Sequence, residues 1–278
     1  MLNDESPSSS LLLFCLQDWI EKNNPIEQTD KINFCICIIL KQDNYFSAKN
    51  KSVKKTICFL TFECSYTMKE FNTIQFKTAS LITFLFSVLL FALNYSIGTN
   101  QFFLMINHDW GKLADACFIF FTFLGDGIWW IAILILFYLF RRNHVLLLVY
   151  TFITSESIIE SFKFLILPNE LRPIKAIGDI NLIHTAAGVE MHTIASFPSG
   201  HTTQAFVFFL LASLVIERKW VIPVGLLYAL LIGYSRVYLA QHFPRDVAGG
   251  MLTALISVTI SLWLFNKTKK ALTKFVKA

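Results

Sequence analysis

From residue 79 to residue 265 the chain alternates between long apolar stretches and short polar joints. Runs without Asp, Glu, Lys or Arg cover residues 79–98, 128–140, 143–155, 202–216, 220–235 and 247–265. Admitting a few polar residues lengthens two of them: 117–140 holds only Asp126, and 143–167 holds only Glu156, Glu160 and Lys163. At about 1.5 Å per residue, stretches of this length cross a ~30 Å hydrocarbon core as helices. Helix is the form expected, because lipid offers the backbone no outside partner. Barrel strands would instead alternate in polarity. The pattern therefore predicts an all-α, polytopic membrane protein with six transmembrane helices.

The first 67 residues read differently. Their apolar runs, such as 11–13 and 36–40, are too short to span, and Asp4 and Glu5 stand where a secretory signal needs basic residues. Cys35 and Cys37 form half of a metal-site pattern with no second pair at usable spacing. Met68 opens a short basic lead into the first apolar run. Residues 1–67 are thus expected to be a poorly structured extension outside the native product, and 68–278 the six-helix domain.

Composition agrees with a bilayer protein. Hydrophobic residues make up 55%, charged residues 15%, and mean hydropathy is +0.55, whereas a soluble domain carries roughly 25% charge. Disordered, collagen-like and nucleic-acid-coating proteins are excluded. The net charge of +5 is unevenly placed. One side of the predicted bundle gathers Lys69, Lys77, Arg141, Arg142, Arg218, Lys219 and the tail lysines from Lys267 to Lys277. The other holds Lys112, Lys163, Arg172, Lys175, Arg236 and Arg245. The basic excess puts both termini in the cytoplasm. Trp110, Trp129 and Trp130 then mark the outer interface, Trp220 and Trp263 the inner one, and the connection 168–198 faces outward.

That outward face collects Lys163, Arg172-Pro173, Pro198-Ser199-Gly200-His201, Ser235-Arg236, His242 and Asp246. A phosphate needs several fixed cations, and arginine matches its oxygens two at a time. Lys163, Arg172 and Arg236 would supply three. Ser199-Gly200-His201 precedes an apolar helix, so its amides can converge on an anion at a helix N-terminus, with Gly200 allowing close approach. Such groups would stabilise the oxygens of a phosphoryl group in transfer.

These residues fall in three ordered motifs, and on them the chain resembles the type 2 phosphatidic acid phosphatase family, membrane enzymes sharing a helical core with vanadium haloperoxidases. Pro-Ser-Gly-His stands intact at 198–201, and Ser-Arg-x5-His-x3-Asp at Ser235, Arg236, His242 and Asp246. The Lys-x6-Arg-Pro element appears as Lys163 with eight residues before Arg172-Pro173. The resemblance runs from about residue 79 to 265, including Leu124-Gly125-Asp126-Gly127. It implies a lipid phosphatase in which His242 attacks phosphorus to form a phosphohistidine. Asp246, four residues on, would hold one nitrogen of that imidazole protonated. His201 would protonate the leaving oxygen and then activate water. No metal or cofactor is implied, and the partners are a membrane lipid substrate and the bilayer, not nucleic acid. For a bacterial chain, undecaprenyl pyrophosphate is the first candidate, followed by phosphatidic acid, phosphatidylglycerophosphate and lipid A phosphates.

Other readings remain at this point. Glu156 and Glu160 lie i, i+4 within an apolar run, as a transporter or channel would use them; the quieter expectation pairs them with Lys163, Ser157 or Ser161 inside the bundle. Asp126 reads as a helix-end hydrogen bonder. His184, Glu190 and His192 lack zinc-ligand spacing and read as residues lining a lid or touching a headgroup. A haloperoxidase would use a similar anion pocket.

Overall fold

The structure is a computed structural model and describes residues 71–277. The reading of residues 1–67 as an extension lies outside these. All the regular structure among the described residues is helical.

Helix α1 (Thr73–Ile97) is capped by Asn72, whose side chain accepts from the Gln75 amide at 3.1 Å. It stops at Gly98, where φ is 92°, a conformation costly for any residue with a Cβ. Its buried face is a stripe of small residues, Ala79, Thr83 and Ser87. Small side chains let helices approach closely in a membrane, and Ser87 Oγ donates to the Ala248 carbonyl at 2.9 Å. A short α2 (Thr99–Ile106) follows.

The run 117–140 reads as one span but folds as two helices. α3 (Lys112–Leu124) and α4 (Trp129–Phe140) are inclined at 53°. The bend falls at Gly125-Asp126-Gly127-Ile128. A Cβ on Gly125 would lie 2.6 Å from Ile232 Cγ2, so only glycine fits there. Asp126 Oδ1 accepts from the Ile128 amide at 3.2 Å, the helix-end role expected of it. Tyr228 Oη donates at 2.9 Å to the Leu124 carbonyl that the bend releases. Trp130 also departs from expectation. It is buried, edge-on to Phe152 and Phe208, and so belongs to the core and not to an interfacial belt.

α5 (Val145–Glu160) is extended by a 3-10 turn before it and a π-turn, Ser161–Ile166, after it. The connection 168–198 contains the short α6 (Pro173–Ile177), which begins on a proline. α7 (Gly200–Val215), α8 (Val221–Tyr238) and α9 (Pro244–Lys277) complete the chain.

α7 is the axis of the bundle. Twelve of its sixteen residues are buried, and it packs against α1, α5, α8 and α9. Being apolar on every side, it suits a position surrounded by other helices. Four segments are long and apolar enough to cross a membrane: Thr73–Ile97, Arg142–Ile166, Val221–Tyr238 and Pro244–Phe275. The bent α3–α4 pair makes a fifth when taken as one span. α7, with 16 residues, is about 24 Å long, short of a ~30 Å hydrocarbon core. Length and composition therefore support four or five crossings.

Candidate functional site

Three chain segments meet at one end of α7. Ser199 caps the helix, its Oγ accepting from the Thr202 amide at 3.4 Å and the Thr202 hydroxyl at 2.9 Å. The Ser199 amide donates at 3.0 Å to the Asp246 carbonyl in the first turn of α9. The crossing is tight at this point, since a Cβ on Gly250 would lie 2.8 Å from Ser199 O and 3.0 Å from Thr202 Cβ. Histidines from two segments are thereby brought together. His201 stands in the first turn of α7, and His242 sits in the link between α8 and α9.

The cations reach this place from different directions. Lys163 comes from the π-turn after α5, and a Cβ on Gly200 would be 3.7 Å from its Nζ. The extra length between Lys163 and Arg172 is carried by that wide turn and the link after it. Arg172 is buried and held by the loop it belongs to. Its Nε donates to Ile194 O at 3.0 Å, and its Nη1 to the carbonyl and side-chain oxygens of Gln241 at 3.2 and 3.3 Å. Arg236, in the last turn of α8, is buried and donates through Nη1 to Thr122 Oγ1 on α3, while its Nε has no partner. His201 lies within electrostatic reach of Arg236, His242, Lys163 and Arg172 together.

Burial, followed by the charges of Arg172, Arg236 and Lys163, holds the His242 imidazole well below its ordinary 6.5, with the Ser196 main chain opposing. A neutral imidazole is the nucleophilic form. For Arg172, burial weighs against the charge and Asp246 favours it.

The contact between Asp246 and His242 is not a direct hydrogen bond. Asp246 does not simply clasp His242: Nδ1 and Oδ2 stand 3.5 Å apart, longer than a hydrogen bond. That oxygen already accepts from Ser196 Oγ at 2.5 Å and from the Phe243 amide at 2.9 Å. Ser196, Gln241 and Thr122 were not legible as site residues in the sequence. Gln241 adjoins His242 and Ser196 lies two residues before Pro198, but their partners are 50 to 69 positions away.

The remaining candidates lie apart from the cations or beside them. Glu156 accepts from Gln204 Nε2 at 3.4 Å, not from Lys163 or the nearby serines, and Glu160 is exposed. Among the described residues no carboxylate is at ion-pair distance from Lys163. His184 is joined to neither Glu190 nor His192. Its Nε2 is 3.0 Å from Asp115 Oδ1 and its Nδ1 3.8 Å from Asp109 Oδ1, while Tyr238 Oη donates to Asp115 at 2.7 Å. The donor atoms of Asp109, Asp115 and His184 lie within 4.8 Å of one another. The Glu190 carbonyl accepts from Gln241 Nε2 at 3.0 Å, tying the 168–198 connection down beside His242.

Two buried arginines, a lysine and two imidazoles thus gather at the capped end of the central helix of an apolar helical bundle. The chain resembles known proteins. The model of the PAP2 superfamily matches residues 144–270. The undecaprenyl-diphosphatase of Sulfolobus acidocaldarius is 29% identical over 163 residues, which is 56% of this chain and 74% of that protein. Undecaprenyl-diphosphatase BcrC of Bacillus subtilis is 35% identical over 116 residues, 41% of this chain and 54% of that one. The crystal structure of Aquifex aeolicus LpxE aligns with a TM-score of 0.52 at 32% identity, covering 59% of this chain and 94% of the other. The chain belongs to the PAP2 superfamily, and it is a multi-pass membrane protein.

Proposed function

We propose that this protein is an integral-membrane phosphatase acting on a lipid phosphate or diphosphate through a phosphohistidine. The observation that carries the reading is the convergence of Lys163, Arg172 and Arg236 on both His201 and His242. Three cations with the α7 N-terminus suit a phosphoryl group better than any neutral ligand.

In this reading His242 Nε2, opposite the nitrogen that faces Asp246, attacks phosphorus. The bond from that phosphorus to the leaving oxygen breaks (the bridging oxygen of a diphosphate, the lipid oxygen of a monophosphate), and that oxygen takes a proton from His201. His201 then removes a proton from water, whose oxygen attacks phosphorus; the phosphorus–nitrogen bond breaks, His242 is freed and inorganic phosphate leaves. The cations and α7 amides offset the charge building on the phosphoryl oxygens. A six-crossing topology, with α7 as the sixth span, both termini cytoplasmic and the site outward, is part of this proposal. The substrate favoured is a polyprenyl diphosphate, in keeping with the names of two of the relatives, with phosphatidic acid and lipid A phosphates as alternatives.

The test is phosphate release by purified, detergent-solubilised protein from undecaprenyl diphosphate, phosphatidic acid and a lipid A phosphate. We expect release from at least one, highest for the diphosphate, and none from His242→Ala. EDTA is expected to leave the rate unchanged. Undiminished release by His242→Ala would refute the site, and activity lost in EDTA and restored by a divalent ion would refute the cation-only chemistry.

A further inference from the structure

Asp246 is wholly buried, and a buried carboxylate stays ionised only where donors satisfy it. Two donors meet on Oδ2, the oxygen that faces His242. The Phe243 amide is fixed by the backbone; the other is the hydroxyl of Ser196, at 2.5 Å. Ser196 is itself wholly buried. Its amide donates to the Glu170 carbonyl at 3.2 Å, and the Glu170 side chain pairs with Arg245. Arg245 Nε in turn lies 3.7 Å from Asp246 Oδ1. The Ser196 main chain also lies against the His242 imidazole. Ser196 thus touches both members of the His242–Asp246 pair from a loop that neither belongs to.

We infer that Ser196 is a positioning residue. Its hydroxyl holds the Asp246 carboxylate ionised and aimed at His242 Nδ1, so that Nε2 carries the lone pair presented to phosphorus. This rests on the phosphatase reading above. The Ser196 hydroxyl is engaged by Asp246, so its loss registers in turnover and not in substrate binding.

The experiment measures kcat and KM for Ser196→Ala, Ser196→Cys and Ser196→Thr on the lipid that wild type hydrolyses best, together with Asp246→Asn and the double variant S196A/D246N. Ala and Cys are expected to lower kcat about 10- to 100-fold, the usual scale for a residue orienting a catalytic group, with KM changed less than about threefold. Cys nearly preserves volume and keeps only a weak donor, so it reports on the hydroxyl even if Ala disturbs packing. Thr, which retains the hydroxyl, is expected to recover most of the rate. Adding S196A to D246N should cost less than about twofold further, because residues acting through one another are not additive.

Losses that multiply in the double variant, or an Ala and a Cys variant that both turn over like wild type, overturn the assignment. A loss in KM alone does the same. Failure of the phosphatase reading looks different, since wild type itself would then release no phosphate from any lipid tested.

Discussion

Among the described residues, two histidine–aspartate clusters are built alike and surrounded differently. His242 faces Asp246 at 3.5 Å, and Ser196 donates a hydroxyl hydrogen bond to the same carboxylate oxygen. His184 faces Asp115 at 3.0 Å, and Tyr238 donates its hydroxyl to that oxygen. Around the first stand Arg172, Arg236 and Lys163; beside the second stands another carboxylate, Asp109. The first pair is buried, whereas the second opens toward solvent through Asp109, whose side chain is 67% exposed. On the proposed reading, an imidazole, an acid and a hydroxyl therefore do not make a phosphoryl site alone. The charge gathered around them decides whether an anion is drawn in or turned away.

The widest separation between the pairs is expected on removing the imidazole. His242→Ala should lower phosphate release roughly 10⁴-fold or more, as loss of a nucleophile does, while His184→Ala stays within about threefold of wild type in the same assay. Comparable losses in both would erase the distinction. Next in size are the cations. Arg172→Ala and Arg236→Ala should each cost about 10²–10³ in kcat, the scale of one lost charge-stabilising donor. Arg236→Lys should recover little, since a lysine cannot both reach Thr122 and grip phosphate with a planar fork.

A pH profile sharpens the contrast further. Because the His242 pKa is held well below 6.5, the imidazole remains neutral as pH falls through that value. The limb of kcat/KM that reports the nucleophile should therefore lie below pH 6.5. An acid limb at or above 6.5 would show that burial and the neighbouring cations do not depress His242 as described. The smallest effect is structural. His184→Ala removes a half-buried hydrogen bond worth about 1 kcal/mol, so the midpoint of thermal unfolding should drop by about 2–4 °C.

Much of this was written in the order of residues. Apolar runs marked α1, α5, α8 and α9, and the motifs at 198–201 and 235–246 marked the two histidines and Arg236. Lys163, with eight residues between it and Arg172, stands beside Gly200. What could not be read depended on packing between distant segments. The α3–α4 run bends at Gly125, where Ile232, more than a hundred residues later, leaves no room for a side chain. Trp130 looks interfacial by position and is buried by Phe152 and Phe208. The i, i+4 spacing of His242 and Asp246 predicted a direct clasp, but Ser196 and the Phe243 amide reach the same oxygen, and nothing local announces them. Periodicity reports what each helix buries, not which neighbour does the burying.

The contact between Gly250 and the Ser199 carbonyl has a practical consequence. Because His201 follows Ser199 on α7 and His242 lies just before α9, a shift at that crossing would change how the two imidazoles face each other while leaving every helix intact. Turnover should thus fail before helix content does when the bilayer is thinned or thickened, making enzymatic rate, more than circular dichroism, the sensitive gauge of how this bundle sits in its lipid.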